Sequence, residues 1–398
     1  MRRCFMNKRR LLFILGISAA IVSLAQSLYI PLLPDLQQDL NTSLHLVNLT
    51  VTLFTVAMAT MQIILGPIVD RNGRKKILVP GIIIYVIATI GCMFSGSIEM
   101  LLIFRVIQGI GASSVPLVAA TMIGDVFEGK ERGESMATYQ MILGISPAIG
   151  PLIGGIIGSK FGYTGTFGFA AISALLILIA AIFMLPETKP VNIKPVGTKL
   201  GLKSFGKILG NKTGVVVLLS GFIMYDVFYT FIVFLPTILQ TKYALGAASI
   251  GFFSLALMIF NLVGSKMSGS LQAQIGSVRT LFWAGIMTIL SLVIFIFAAD
   301  YSLIVLLLSL MLTGFVMGLA TPVMPTLLSS EFVEERATAM GVYNFVRYLG
   351  MATAPLIGSF LFPLGNIQLL IGITALLVVM VVFVINRLLP VKKAEVSN

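Results

Sequence analysis

Asp226 is the residue of this sequence whose type and position most clearly suit chemistry. Of the fifteen acids, it alone lies in the middle of a long apolar run, between Phe222 and Tyr229. Ionisable side chains in segments long enough to cross a membrane are costly, and they are therefore candidates for function. Since burial favours a neutral carboxyl group and a nearby cation favours a charged one, such a group can load and release a proton. We predict that Asp226 carries a proton or senses the charge of a substrate. The alternative is an inert ion pair with Arg347, the mid-run base of the same half.

Two other charged residues are candidates for related roles. Asp35 lies at the outer end of the first apolar run, where it is either a second proton carrier or a solvated acid at a helix end. Arg105 lies inside the fourth run and should face the protein interior, because contact with lipid would be costly. It tunes an acid, binds main-chain carbonyl groups, or has a purely structural role. The lone His45 and two distant cysteines predict neither a metal site nor a cofactor.

The elements that position these residues follow from the composition. The chain is 58% hydrophobic and 11% charged, with a mean hydropathy of +1.03, which is typical of a multi-pass membrane protein. A bilayer core about 30 Å thick requires about 20 apolar helical residues per span. The sequence contains twelve such runs, at residues 11–33, 46–68, 78–97, 99–122, 136–158, 165–185, 214–239, 248–270, 280–299, 302–325, 338–362 and 367–389.

The positive charges predict the orientation of these spans. The net charge is +12, and Lys and Arg concentrate in the two tails and in alternate loops. Lys160 and Lys242 are the only bases in the opposite loops. Basic segments of membrane proteins remain in the cytoplasm, so both termini should be cytoplasmic. Because the basic excess has this topological explanation, we expect no binding to nucleic acid.

The chain also contains an internal repeat. Glu131, Arg132, Tyr139 and the segment 151–154 have counterparts 204 residues later, in Glu335, Arg336, Tyr343 and 355–358. Parallel repeats of six helices are typical of transporters, in which the binding site lies at the midplane between the halves and opens alternately to each side. The predicted fold is an all-α membrane protein with twelve transmembrane helices in two pseudo-symmetric six-helix bundles. We expect an N-terminal bundle at 1–190, a cytoplasmic linker at 191–213 and a C-terminal bundle at 214–398.

A strongly basic turn at 66–76 joins the second and third runs. It resembles the loop signature G-x-x-x-D-R-x-G-R-[RK] of the major facilitator superfamily, and the matching residues are Gly66, Asp70, Arg71, Gly73, Arg74 and Lys75. The resemblance implies a cytoplasmic gate in which Asp70 contacts the neighbouring half. In the second copy of this turn Ala273 and Gln274 replace the acid and the first arginine, so the gate should be one-sided.

Three more segments resemble motifs of the same superfamily. Residues 102–111 are similar to its fourth-helix motif, which implies that Arg105 participates in proton transfer. Residues 28–34 resemble the first-helix end of the twelve-span drug:H+ antiporters. Residues 144–155 are similar to the fifth-helix motif of exporters, whose elements here are Gly144, Pro147, Gly150, Pro151, Gly154 and Gly155. Its glycines would permit close packing against the eighth helix, and its prolines would bend the fifth.

The resulting hypothesis is a proton-coupled exporter of small amphipathic or hydrophobic compounds, such as antibiotics. Candidate residues for the substrate cavity are polar or aromatic positions on central helices: Gln26, Tyr29, Gln108, Tyr225, Tyr229, Met317 and Arg347. The alternatives are export of one endogenous metabolite (a sugar, an amino-acid derivative or a metal chelator) or lipid flipping. We expect a monomer in a bacterial plasma membrane that uses the proton gradient for energy and is not an enzyme.

Overall fold

The computed structural model describes residues 8–127, 129–189, 206–332 and 336–389, and all regular secondary structure in these ranges is helical. The helices, in chain order, are α1 Lys8–Ser27, α2 Leu33–Asp39, α3 Leu44–Asn72, α4 Arg74–Met93, α5 Ile98–Ala112, α6 Ser114–Val126, α7 Gly129–Met184, α8 Lys212–Tyr243, α9 Ala247–Ile275, α10 Ser277–Tyr301, α11 Leu303–Ala320, α12 Val323–Glu331 and α13 Arg336–Leu388. A 3-10 turn, Ile30–Leu32, joins α1 to α2.

Eleven segments of the described residues are long and apolar enough to cross a membrane. One of them, Ile149–Met184, belongs to α7, whose 56 residues would extend roughly 84 Å as one straight helix. Gly162 interrupts α7 with φ 62° and ψ −167°, so the segments on its two sides are separate spans. Counted in this way the described residues contain twelve spans, and the predicted all-α membrane architecture is confirmed.

The helices form two compact units. The first comprises the described residues within Met1–Thr198 together with Leu235–Leu255, and the second comprises those within Lys199–Phe234 and Ala256–Asn398. Residues 191–205 of the predicted linker lie outside the described residues.

Equivalent positions of the sequence repeat have the same local structure in both units. Gly73 and Gly276 begin the helices after the basic turns with φ of 111° and 86°, values that favour glycine. Ser97 and Ser302 cap α5 and α11 by accepting a hydrogen bond from the main-chain N–H three residues later. The repeat found in the sequence is therefore a structural repeat.

Close helix packing within each unit follows the repeat as well. A Cβ atom on Gly109 of α5 would collide with the main-chain carbonyl of Phe54 on α3. In the second unit, a Cβ atom on Gly314 of α11 would collide with the carbonyl of Leu257 on the neighbouring helix. Small residues at such crossings let helix backbones approach each other where lipid provides no hydrophobic driving force.

Candidate functional site

Asp226 lies on α8 and is almost fully buried, with 7% of its surface exposed. Its Oδ1 accepts a hydrogen bond of 2.8 Å from the hydroxyl of Thr353 on α13. That hydroxyl also lies 2.9 Å from the main-chain oxygen of Gly350. Among the described residues no Lys or Arg nitrogen lies within 4.0 Å of the carboxylate.

The Thr353 hydroxyl is compatible with both protonation states of this carboxyl group. A hydroxyl has one hydrogen to donate and two lone pairs to accept with. When Asp226 is charged, Thr353 donates its hydrogen to the carboxylate. When Asp226 is protonated, it can donate to the Thr353 oxygen while the threonine hydrogen turns to the Gly350 carbonyl. Both states therefore retain a complete set of hydrogen bonds at this contact.

Arg347 of α13 does not pair with Asp226. Its guanidinium carbon lies 5.1 Å from the ring centre of Tyr225 and 5.0 Å from that of Tyr348. Its Nε is buried and has no hydrogen-bond partner in the part of the chain that the structure describes. The structure thus lacks the inert ion pair that was the alternative interpretation of Asp226.

The other substrate-cavity candidates of the second unit differ in accessibility. Tyr225 and Arg347 are partly exposed, whereas Tyr229 is 9% exposed and Met317 is completely buried. Met317 therefore does not reach an open surface in this structure. The assignment of these four residues to substrate binding stays a prediction.

Arg105 lies at the centre of a buried polar cluster in the first unit, with none of its surface exposed. Its Nε donates to the main-chain oxygen of Thr50 at 3.2 Å, and its Nη1 donates to Oε1 of Gln108 at 2.5 Å. The rings of Tyr29 and Phe54 lie 4.6 and 4.2 Å from the guanidinium carbon. Because cation–π contacts and carbonyl oxygens disperse its charge, the arginine can stay charged at this depth without a carboxylate within ion-pair distance in the described part of the chain.

Two of the substrate-cavity candidates, Tyr29 and Gln108, belong to this cluster. Tyr29 exchanges a hydrogen bond of 2.8 Å with the Thr50 hydroxyl, and Gln108 donates to the Thr89 hydroxyl at 2.8 Å. Gln26 is buried, with 9% of its surface exposed. The amide of Gln108 is thus engaged by protein groups on both sides, which suits orientation of Arg105 better than direct contact with a substrate.

The basic turn is held by acids of its own unit. Arg74 is buried and forms a bidentate ion pair with Asp125 at the end of α6, with Nε–Oδ2 of 2.7 Å and Nη2–Oδ1 of 3.2 Å. Its Nη1 also donates to the main-chain oxygen of Val69 at 3.2 Å. Bidentate pairing fixes the geometry of an arginine as well as its charge. Arg74 therefore ties the turn after α3 to α6.

Glu187 caps the start of α4. Its carboxylate accepts hydrogen bonds from the main-chain N–H groups of Arg74, at 2.9 Å, and Lys75, at 3.2 Å. Gly73 has no side chain to perform this role, and a Cβ atom there would lie 2.7 Å from the Glu187 carboxylate. A negative charge at a helix N-terminus is stabilised by the unpaired N–H groups and the helix dipole.

Arg71 and Gly66, two of the remaining gate candidates, have few contacts with other described residues. Arg71 is exposed, and its main-chain oxygen accepts a hydrogen bond of 2.6 Å from Lys189. A Cβ atom on Gly66 would meet nothing within 4 Å. Asp70 belongs to α3, but its side chain lies outside the described residues, so its contact with the neighbouring half stays a prediction.

Asp35, the second predicted proton site, is partly buried in α2. Its Oδ1 accepts a hydrogen bond of 2.6 Å from Nε2 of Gln240, near the end of α8. Both residues belong to the first compact unit. A neutral amide donor holds this carboxylate in place, and no basic side chain pairs with it in the described part of the chain.

The glycines of the fifth-helix motif contact two helices. Cβ atoms on Gly150 and Gly154 would collide with Ser27 and with the main-chain oxygen of Leu28 at the end of α1. A Cβ atom on Gly155 would collide with the main-chain oxygen of Ala247, the first residue of α9. Pro151 belongs to α7 next to this contact, and its main-chain oxygen would lie 2.6 Å from a Cβ atom on Gly251. Gly144 and Pro147 also belong to α7, but their side chains lie outside the described residues.

Four residues that hold these sites were not found from the sequence: Thr50, Asp125, Glu187 and Thr353. Each lies far along the chain from the residue that it contacts. Asp125 and Glu187 did carry a signal, because each is an acid at the end of an apolar run on the side where bases accumulate. The two threonines carried none, since hydroxyl groups are common throughout membrane helices.

The sequence of this chain matches the profile of a known protein family. The sequence profile of the Major Facilitator Superfamily matches residues 15–355 and 217–398. The chain belongs to this superfamily. It is therefore a multi-pass membrane protein of the Major Facilitator Superfamily.

Curated relatives share 28–31% of aligned residues with this chain. A citrate exporter of Aspergillus niger is 28% identical over 212 residues, 53% of this chain and 40% of that exporter. A chloramphenicol resistance protein of Pseudomonas aeruginosa is 31% identical over 172 residues, which cover 42% of this chain and 41% of that protein. The multidrug resistance protein MdtL of Shigella dysenteriae is 29% identical over 163 residues, 41% of this chain and 42% of that protein. The chain thus spans about two fifths of the length of these relatives.

Solved structures share the fold over nearly the whole chain. A bacterial homologue of the human lysosomal transporter Spinster superposes with a TM-score of 0.81 at 15% identity, over 98% of both chains. The human organic anion transporter MFSD10 (TETRAN) superposes with a TM-score of 0.70 at 18% identity, over 96% of this chain and 100% of the other. At these identities the similarity shows the fold alone.

Proposed function

We propose that this superfamily member exports small amphipathic or hydrophobic compounds, including antibiotics, in exchange for protons, by alternating access. The observation that carries the proposal is Asp226, a carboxyl group at membrane depth with no basic partner among the described residues and with a hydroxyl neighbour that suits both of its protonation states. The energy source is the proton gradient, and no cofactor is required.

The names of two relatives, a chloramphenicol resistance protein and a multidrug resistance protein, support drug export. The inside-biased bases support cytoplasmic termini, and the motif resemblance supports a bacterial plasma membrane and a twelve-span drug:H+ antiporter. In this proposal the transporter works as a monomer in the lipid bilayer. Arg105 and Asp35 assist proton transfer, and the turn at 66–76 closes the cytoplasmic side.

The proposal is tested by expressing the chain in a bacterial host that lacks its main efflux pumps. Expression should raise the inhibitory concentration of several chemically unrelated drugs, and Asp226→Asn should abolish the increase at an equal amount of membrane protein. Lys160→Gln, which removes an exposed charge from α7 close to its break at Gly162, is the matched control and should leave resistance intact. Unchanged sensitivity to every drug would refute drug export, and full resistance with Asp226→Asn would refute the role of this carboxylate.

Export of one specific metabolite is a second candidate. It is favoured by the citrate exporter among the relatives, with the longest of the three alignments described above. In that case the expressing host would keep its drug sensitivity and release one organic compound into the medium, which mass spectrometry of the medium would identify.

A further inference from the structure

The second unit contains an acid and a base at membrane depth that do not neutralise each other. Asp226 on α8 bonds to Thr353, and Arg347 on α13 lies against two tyrosine rings. A transporter that used these charges only for stability would pair them, because an ion pair offsets part of the cost of removing both from water. Their separation leaves two opposite charges available to a ligand.

Both charges lie on facing segments of two closely packed helices. A Cβ atom on Gly350 of α13 would collide with the main-chain oxygen of Phe222 on α8, so the backbones are in contact between the two charged residues. Asp226 lies one helical turn beyond Phe222, and Arg347 lies almost one turn before Gly350. The Tyr225 ring, next to Asp226 in sequence, lies beside the guanidinium of Arg347.

The base has unused capacity for a ligand. Arginine carries five N–H donors, and in Arg347 the Nε donor is buried without a hydrogen-bond partner from any described residue. Arg347, Tyr225 and Tyr348 are each partly exposed, so part of this cluster is open to a ligand. Thr353 is the one side chain among the described residues that donates a hydrogen bond to Oδ1 of Asp226. The carboxylate therefore has further lone pairs that can accept hydrogen bonds from a cationic group.

We propose that this pair binds a zwitterionic substrate, with its basic nitrogen on Asp226, its carboxylate on Arg347 and its apolar body against Tyr225 and Tyr348. The inference rests on the proposed function and specifies its substrate class. The positive charge of such a substrate suits antiport, because its basic nitrogen and a proton compete for the Asp226 carboxylate. A purely anionic compound would not displace the proton, and a purely cationic one would leave Arg347 uncompensated.

The test is equilibrium binding to the full-length protein in detergent at neutral pH, by isothermal titration calorimetry. The probes are 4-(aminomethyl)benzoate, its methyl ester and its N-acetyl derivative, which are a zwitterion, a cation and an anion on the same ring. The zwitterion should bind about tenfold more tightly than either derivative, since each derivative lacks one charged hydrogen bond. Arg347→Gln should weaken zwitterion binding about tenfold to a hundredfold and leave binding of the ester unchanged. Arg387→Gln removes an exposed arginine of the same helix and should change neither.

Equal affinity of wild-type protein for the zwitterion and the ester would overturn the inference, as would no binding of any probe in the millimolar range. An equal loss of affinity for the zwitterion and for the ester in Arg347→Gln would also overturn the inference. If that variant does not fold, the ratio of affinities in the wild-type protein decides. Zwitterion preference without proton exchange would support this inference and refute the proposed coupling, whereas proton-coupled drug export without zwitterion preference would do the reverse.

Discussion

The ion pair between Arg74 and Asp125 should make a large contribution to the stability of the first unit. Its two hydrogen bonds are 2.7 and 3.2 Å long, and the two side chains are only 6% and 11% exposed. Removing one member leaves the other charge buried without its partner, which typically costs about 3–5 kcal/mol. Arg74→Ala and Asp125→Ala should each lower the free energy of unfolding by an amount near the lower end of this range, because the turn borders on water and the remaining charge keeps another hydrogen bond. Arg74 keeps its bond to the main-chain oxygen of Val69, and Asp125 keeps the bond that it accepts from the Thr188 hydroxyl.

A double-mutant cycle measures this contribution directly. The double variant should lose less stability than the sum of the two single variants, with a coupling free energy of about 1–3 kcal/mol. Reversible unfolding of the purified protein in mixed micelles provides the four values, and Lys76→Ala, an exposed base of the same turn, is the control that should change little. Losses that add to within about 0.5 kcal/mol would show that the two groups act independently and would refute this reasoning.

Three further variants test other contacts. Gly154→Ala should destabilise the protein by about 1–3 kcal/mol, because its methyl group would collide with the main-chain carbonyl of Leu28, the residue after α1. Gly372→Ala should be neutral in the same thermal melts, because no described atom lies within 4 Å of a Cβ at that position. Glu187→Gln should lower the free energy of unfolding by about 1 kcal/mol or less, because it weakens the cap of α4. A loss of stability that is equally large at high salt would contradict the charge–dipole explanation. Thr353→Val should reduce drug efflux several-fold while Thr353→Ser retains it, since only serine keeps the hydroxyl; equal efflux by both would show that the hydroxyl is dispensable.

Much of this fold is predictable from the sequence because a membrane imposes simple rules. Apolar runs of bilayer length and the alternation of basic loops define the spans. Equivalent residues of the repeat, such as Gly73 and Gly276, have equivalent positive φ angles because the same turn is built twice. At Gly162 the sequence predicts only a gap between two apolar runs, because no pattern specifies the geometry of the break in α7.

The partners of the charged residues were less predictable. The sequence identifies Arg74 and Arg105 as unusual, but their contacts with Asp125 and with Thr50 are made by residues more than fifty positions away. Such contacts depend on helix rotation and tilt, which composition does not specify. For the same reason, the sequence left open whether Asp226 pairs with Arg347, and only the side-chain geometry shows each of them with a different partner.

Proton movement driven by substrate is the most direct measure of the central claim. The measurement uses proteoliposomes that contain a pH-sensitive dye, no imposed gradient, and a drug that the wild-type protein exports in cells. Addition of the drug should drive proton movement in the opposite direction with wild-type protein, and none with Asp226→Asn at equal reconstitution. Proton movement of equal size in Asp226→Asn would contradict the claim that this buried carboxylate couples the two fluxes.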